Sequence, residues 1–111
     1  MHNKKIITDK GHCWITFDNG YTLSVFNGYG SYSDNYYNND LILYPINEEQ
    51  KNKYAEQRIA SNNCEIAIFD SNGTFVTNNI LNCDDDIKGY VSVNELIEII
   101  NKVNDLENKG E

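Results

Sequence analysis

Residues 12–26 read HCWITF-DNG-YTLSVF, and this stretch decides the fold of the chain. Its two flanks alternate with period two and are rich in β-branched and aromatic residues, as strands are. A two-residue Asn-Gly turn would scatter the apolar residues over both faces, whereas a three-residue loop with a left-handed Gly20 pairs Ile15 with Leu23. We therefore predict a β-hairpin with strands 12–17 and 21–26, whose apolar face contains Cys13, Ile15, Phe17, Tyr21, Leu23 and Val25.

A second hairpin is predicted further along the chain. Residues 65–69 and 74–77 have strand-forming sequences, and the turn residues Asp70-Ser71-Asn72-Gly73 lie between them. A four-residue connection of this kind places Ile68 opposite Phe75.

The C-terminal part of the chain predicts an amphipathic helix over 92–106. Ser92 followed by Glu95 forms a capping box, and apolar residues then recur at helical spacing. They are Val93, Leu96, Ile97, Ile100 and Val103.

These elements predict an α+β fold in which an antiparallel sheet of two hairpins, with four to five strands, packs against one C-terminal α-helix. The 111 residues fit a single domain. We expect a flexible basic N-terminus at 1–10, a Tyr/Gly/Asn-rich loop plus an irregular insertion at 27–61, and a frayed tail at 107–111. Within the insertion, 41–44 suggests a short strand, and 47–58 either a polar helix or an exposed loop.

The charge of the chain is strongly acidic and unevenly placed. The net charge is −8, and residues 1–10 contain three Lys against one Asp, which leaves 11–111 at −10. Such a surface repels phosphate backbones and acidic lipids, which argues against direct nucleic-acid or membrane binding and favours a partner with a basic groove. The N-terminus lacks the apolar stretch of a signal peptide, so a cytoplasmic location is expected.

The residues that usually carry catalysis or bind metals form no complete constellation. Cys13, Cys64 and Cys83 are widely spaced, without a C-x-x-C pair, and only His2 and His12 accompany them. A zinc site would have to combine His12 with all three cysteines, and a hydrolytic triad lacks a well-placed histidine. The sequence therefore predicts neither an enzyme nor a cofactor.

Residues 84–95 match part of an EF-hand calcium loop. Its ligands would be Asp84, Asp86 and Glu95, with Gly89 at the turn position. Against calcium, Lys88 occupies a ligand position, and the preceding segment does not look helical. The alternative is that the acidic triplet forms a solvated loop and that Gly89 and Ser92 serve as turn and helix cap.

The feature most like a functional surface is the tyrosine-rich part of the 27–61 segment. Tyrosine side chains offer large amphipathic contacts of the kind that anchor protein interfaces. The alternative is that some of them fold back and cover the sheet. The candidate binding residues are Tyr29, Tyr32, Tyr36 and Tyr37, with Asp34 and Asp40 as a negative rim.

Three blocks of the sequence together resemble a diffuse group of small acidic proteins encoded by phages and other mobile elements. The blocks are 19–25 leading into 28–35, then 65–70 with Asn72-Gly73, and finally Gly89-Tyr90-Val91-Ser92. The resemblance covers residues 12–103, and 40–61 looks like an insertion. These blocks are signatures of hairpin, loop and helix start, so the resemblance bears on fold more than on mechanism.

The resemblance implies interference with a host defence system, as by an anti-CRISPR protein. Such an inhibitor places carboxylates where a phosphate backbone would lie in a basic channel. The candidate contacts are Asp34, Asp40, Asp84, Asp85 and Asp86, with Tyr32, Tyr36 and Tyr37 as anchors.

Two alternatives belong to other classes. One is a sponge, as an oligomer, for a nucleotide messenger of host immunity, whose pocket would recruit Lys51, Lys53, Arg58 or Lys88. The other is a calcium-binding or structural accessory protein.

Overall fold

The computed structural model describes residues 4–42 and 44–107, and these form a five-stranded antiparallel sheet with three helices. The predicted α+β class with a C-terminal helix is confirmed. The strands follow one another across the sheet in chain order. In order the elements are β1 (Lys5–Asp9), β2 (His12–Thr16), β3 (Thr22–Phe26), α1 (Glu48–Glu56), β4 (Asn63–Phe69), α2 (Thr77–Leu81), β5 (Lys88–Ser92) and α3 (Val93–Asn104).

The hairpin of β2 and β3 has the predicted register. Ile15 lies opposite Leu23, and the Phe17 amide donates to the Tyr21 carbonyl at 2.8 Å. Gly20 is left-handed, with φ 91°. The three-residue loop therefore places the apolar residues of both strands on one face, as expected from their alternation.

The N-terminus is more ordered than the predicted flexible segment at 1–10. Residues 5–9 form β1, which pairs with β2 so that Asp9 lies opposite His12. The connecting residues Lys10 and Gly11 both have positive φ, 50° and 81°. Positive φ at both turn residues is the geometry of a two-residue β-hairpin turn, whose twist matches that of the paired strands. The sequence has no recognisable signal for this turn, so β1 was not predicted. The prediction is wrong for 5–9, and residues 1–3 lie outside the described residues.

The predicted second hairpin at 65–77 is also wrong. The turn at 70–73 forms, and an isolated bridge between Phe69 and Phe75 and one backbone bond, from the Val76 amide to the Ile68 carbonyl at 2.8 Å, follow it, but 74–77 is not a strand. The Thr77 hydroxyl accepts from the Ile68 amide at 2.8 Å, and the chain then enters α2. The Ile68 amide thus bonds to the Thr77 hydroxyl, where a hairpin would supply a carbonyl of the second strand. The true partner of β4 on this side is β5, with Cys64 opposite Val91 and a register shift between Cys64 and Ile66.

The insertion between β3 and β4 contains a helix and no strand among its described residues. Segment 41–44 is irregular where it is described, so the short strand suggested there is not found. Of the two alternatives for 47–58, the structure has the polar helix, α1. The Asn47 side chain caps it by accepting from the Gln50 amide at 2.8 Å.

The core lies between α3 and the sheet face that carries the predicted apolar residues. Ile99 and Val103 of α3 are buried with Leu23, Ile66 and Ile68. The Asn19 side chain donates to the carbonyls of Val103 and Leu106 at 2.7 and 2.9 Å and so ties the β2–β3 loop to the helix end.

The boundaries of α3 follow from its caps. The Ser92 hydroxyl accepts from the Glu95 amide at 3.2 Å, as predicted, whereas the Glu95 carboxylate pairs with Lys88 at 3.5 Å. The helix ends at Asn104, two residues before the predicted end. Of the tail predicted to fray, 108–111 lie outside the described residues. Across 4–42 and 44–107, no helix has the length and apolar character needed to cross a bilayer.

Candidate functional site

The tyrosine loop, defined here as residues 27–40, is built around buried polar side chains. Ser31, Ser33 and Asn35 are buried, and Tyr32 and Asp34, which alternate with them, are exposed. The Ser31 hydroxyl donates to the Gly28 carbonyl at 2.7 Å and lies 2.6 Å from the Ser33 hydroxyl. This alternation explains how a loop without an apolar pattern presents a fixed outer surface.

The Asn35 side chain links the start of the tyrosine loop to the segment that precedes β4. Its side-chain amide donates to the Asn27 carbonyl at 2.7 Å and to the Ala60 carbonyl at 3.0 Å. Its own backbone amide donates to the Ser33 hydroxyl at 3.1 Å. One buried amide therefore connects the start of the loop with the segment that leads into β4.

The loop is also bonded to the edge of the sheet formed by β4 and β5. The amides of Tyr32 and Asp34 donate to the side chains of Glu65 and Asn63, at 3.0 and 2.8 Å. The Tyr90 amide donates to the Tyr32 carbonyl at 2.8 Å. These bonds fix the loop's position relative to the sheet.

Gly89 makes the close approach of loop and strand achievable. A Cβ on this residue would lie 2.6 Å from the Tyr32 Cβ, closer than packed side chains come. This contact gives Gly89 a role that neither a calcium loop nor a simple turn explains.

Three tyrosine rings form a continuous ribbon on the outside of the loop. The rings of Tyr32 and Tyr36 are stacked, with centroids 5.6 Å apart, and Tyr37 meets Tyr36 edge-on at 4.5 Å. Tyr37 is 80% exposed, Tyr32 is half-exposed, and Tyr36 and Tyr29 are partly buried. The predicted anchors Tyr32, Tyr36 and Tyr37 are thus brought together, and Tyr29 makes no ring contact with them among the described residues.

The predicted carboxylates fall into two places. Asp34 and Asp40 are exposed on the tyrosine loop, and the Asp34 carboxylate accepts from the Asn63 side chain at 3.1 Å. Asp84, Asp85 and Asp86 are exposed in the connection between α2 and β5. Within the described residues no hydrogen bond joins this triplet to the tyrosine loop, so the structure does not assemble all the predicted acids with the rings.

The calcium alternative does not fit the fold of residues 84–95. Strand β5 occupies 88–92, in the middle of what would be the calcium loop, and Glu95 is paired with Lys88. A 12-residue EF-hand loop cannot wrap an ion while its centre is extended in a sheet. No group of three or more metal-ligating side chains comes together among the residues described.

Three of the four cations named for a nucleotide pocket form ion pairs with carboxylates. Lys51 and Lys53 pair with Glu48 and Glu49 of the same helix at 3.6 and 3.3 Å, and Lys88 pairs with Glu95. Lys51 and Lys53 lie on α1, whereas Lys88 lies on β5 and lines a different cleft, with Glu95 and Lys102.

Sequence reasoning missed an aromatic cluster on the sheet face opposite α3. His12 stacks on Trp14 at 3.7 Å and on Phe26 at 5.0 Å, and its Nε2 lies 2.5 Å from the Ser24 hydroxyl. Burial lowers the pKa of His12, against the opposing effect of Glu65 and Asp9. The sequence signal for this cluster is that His12, Trp14 and Phe26, which alternate with the residues of the apolar face, are also aromatic.

A groove of 690 Å³ lies between α1 and the turn that joins β1 to β2. Tyr54 and Gln57 line it from the helix, and Gly11 and His12 from the hairpin. The Tyr54 hydroxyl is buried without a hydrogen-bond partner among the described residues. Asp9 and Lys10 of the turn also line the groove.

Cys64 is buried in the core and is unsuited to nucleophilic chemistry. Burial, together with the nearby carboxylates of Glu95 and Glu65, raises the pKa of its thiol to about 11. Since the thiolate is the reactive form, this cysteine is inert near neutral pH.

Comparison with known proteins gives no relatives from which function can be carried over. No family model matches the chain, and no curated protein or solved structure matches it significantly.

Proposed function

We propose that this chain is a phage-encoded anti-defence inhibitor that binds a basic, nucleic-acid-binding surface of a host effector through the tyrosine loop. The observation that carries the proposal is the ring cluster of Tyr32, Tyr36 and Tyr37 on the same loop as the exposed Asp34 and Asp40. Aromatic anchors next to carboxylates suit a groove lined by Lys and Arg, through cation–π contacts and ion pairs.

Rigidity of the loop supports a binding role. The buried side chains of Ser31, Ser33 and Asn35 hold the loop, and bonds to β4 and β5 hold its outer residues. A surface ordered before binding loses less conformational entropy in the complex. An exposed tyrosine on a fixed backbone is therefore a good anchor.

Charge supports the same kind of partner. The body of the protein is strongly anionic, and none of the described ion pairs neutralises Asp34 or Asp40. These carboxylates remain available to a basic partner and would speed encounter with it. Because three of the four cations named for a nucleotide sponge already have acidic partners, the sponge is not favoured.

A protection assay tests the proposal. Cells carrying one of a panel of guide-directed nucleases that target a phage express the protein, and phage plating is counted. We expect protection of the phage against at least one nuclease. The purified protein should inhibit cleavage by that nuclease, and 0.5 M salt or excess nucleic acid should relieve binding, because both screen or compete for a basic groove.

Two tyrosines of equal exposure provide the matched comparison. Tyr37→Ala removes a ring of the loop, and Tyr44→Ala removes one outside it; the two side chains are 80% and 79% exposed. Tyr37→Ala should weaken inhibition about tenfold or more, as expected for an anchor, while Tyr44→Ala leaves it unchanged. Equal behaviour of the two variants, or no inhibition of any nuclease, contradicts the proposal.

A further inference from the structure

Strand β1 is at one edge of the sheet, and no strand formed by residues 4–42 and 44–107 pairs with its outer side. All five of its residues are exposed, and two consecutive ones are apolar: Ile6 is 69% and Ile7 is 48% exposed. At the other edge the tyrosine loop already bonds to β5 through the Tyr90 amide and the Tyr32 carbonyl. An exposed edge with free backbone groups is a template for pairing with a further strand.

The turn that joins β1 to β2 determines which backbone groups are free. A two-residue hairpin turn is flanked by a hydrogen-bonded pair, here Asp9 and His12. Because the pattern alternates, Lys5, Ile7 and Asp9 bond to β2. The backbone groups of Ile6 and Thr8 therefore point toward the open side.

We propose that β1 pairs antiparallel with β1 of a second copy of this chain, around a two-fold axis at Ile7. In this register Ile6 of each copy lies opposite Thr8 of the other, and their outward backbone groups form hydrogen bonds. Lys5 of each copy then lies opposite Asp9 of the other. The result is a continuous ten-stranded sheet across an isologous interface.

Charge complementarity selects this register and this partner. Backbone groups that point outward on one copy can bond only to outward-pointing groups of the other. The two nearest alternative registers are therefore centred on Ile6 or on Thr8. In the first of these Lys5 would face Ile7, and in the second Asp9 would face Ile7. The arrangement centred on Ile7 alone matches opposite charges, and it does so twice in side-by-side pairs, where cross-strand contacts are close.

The surroundings of β1 favour the same pairing. Ile7 lies opposite Trp14 within each copy, so the two Ile7 side chains join two Trp14 side chains into one apolar stripe on the face opposite α3. Residues 1–10 are also the part of the chain with a net positive charge. Pairing through them keeps the acidic bodies of the two copies apart. In the same register Lys4 of each copy comes level with Lys10 of the other, but both lie beyond the ends of the paired strands and are exposed, so salt screens their repulsion.

Sedimentation equilibrium of the full chain tests the proposal. We expect a monomer–dimer equilibrium with a micromolar to millimolar dissociation constant, because the interface of one short strand pair is small. K5E and D9K should each weaken the dimer about tenfold, since each brings like charges together twice. A mixture of K5E and D9K should recover the wild-type constant as a heterodimer, because opposite charges then face each other in both pairs.

Ile6→Pro separates pairing from folding. The Ile6 amide faces the open side, so proline there removes a bond to the second copy and none to β2. Trp14 fluorescence and thermal unfolding check that the hairpin is intact. A chain that stays monomeric at about 1 mM overturns the proposal. So does a dimer that survives Ile6→Pro, or one in which the mixed K5E and D9K variants associate no better than either alone.

Discussion

The sheet face beneath α3 and the tyrosine loop are both well defined in structure, but different forces hold them. Beneath α3, apolar side chains such as Leu23, Ile68 and Val103 are fully buried. In the loop the fully or nearly buried side chains are those of Ser31, Ser33 and Asn35, which hydrogen-bond to one another and to backbone. The hydrophobic effect does not depend on the direction of a contact, whereas the stability of a hydrogen-bond network depends on every donor and acceptor in it. We therefore expect the two regions to fail in different ways.

The largest effect should come from truncation beneath α3. Ile99→Ala should lower the free energy of unfolding by about 3 kcal/mol, from lost apolar burial and the remaining cavity. Ile97→Ala on the same helix is the control, because Ile97 is 52% exposed and Ile99 only 4%. Urea unfolding measures both. If the two variants lose equal stability, α3 does not pack on the sheet by the face described.

A smaller but more local effect is expected in the loop. Asn35→Ala leaves the buried carbonyls of Asn27 and Ala60 without their donor and should cost about 2 kcal/mol. The exposed Asn39, changed to Ala, should cost less than about 0.5 kcal/mol. Hydrogen exchange should show faster exchange at the loop amides and unchanged exchange in β2 and β3. Uniform loss of protection would mean that loop and core are one cooperative unit.

Alkaline pH should weaken the apolar region through Cys64. Its thiol pKa is raised from 9.0 to about 11, so below pH 9 the folded and unfolded chains are both protonated and the stability is intact. Between pH 9 and 11 the unfolded chain releases its proton first, so stability falls as pH rises. The loss should reach about 1.4 kcal/mol at pH 10 relative to pH 8.

Cys64→Ala is the control for this pH dependence. The variant is less stable at pH 8, where the thiol is protonated in both states, but its stability should fall less steeply between pH 8 and 10. Tyr21, whose pKa is raised by burial and by Asp70, titrates in both proteins and cancels in the comparison. Parallel profiles of the two proteins would rule out Cys64 as the titrating group.

The smallest effect should be at the start of α3. Ser92→Ala removes the acceptor for the Glu95 amide and should cost about 1 kcal/mol. Ser92→Asp keeps an acceptor and adds a negative charge at the helix N-terminus, so it should restore most of the loss. Thermal unfolding of the three proteins is the measurement. Failure of the aspartate to rescue would show that Ser92 does not act as a cap.

Sequence reasoning succeeded where neighbouring residues determine the structure. The register of 12–26 follows from the alternation of Ile15 and Leu23 about Gly20, and the start of α3 follows from Ser92. It failed for β1, where Ile6 and Ile7 are exposed on opposite faces and leave no amphipathic pattern. It failed again at 74–77, where the pairing of the Thr77 hydroxyl with Ile68 is a tertiary contact.

The residues of the candidate site could be named from the sequence, but their arrangement could not, and their binding role stays a prediction. The rings of Tyr32, Tyr36 and Tyr37 contact one another, whereas the residues named as calcium ligands and the Asp84–Asp86 triplet lie elsewhere in the fold. What orders the loop is a set of hydrogen bonds from Asn35 to residues 8 and 25 positions away. Such bonds have no periodicity for a sequence pattern to reveal.

The chain-order sheet has a consequence for the order of folding events. Short connections join β1, β2 and β3, whereas β3 and β4 are separated by residues 27–62 although they are direct neighbours. Closing that long segment carries an entropy cost before its contacts form, so the N-terminal meander should assemble first and docking of β4 should set the rate. Stopped-flow refolding should then slow by the full stability lost with Ile15→Val in β2, and by only part of the stability lost with Ile68→Val in β4.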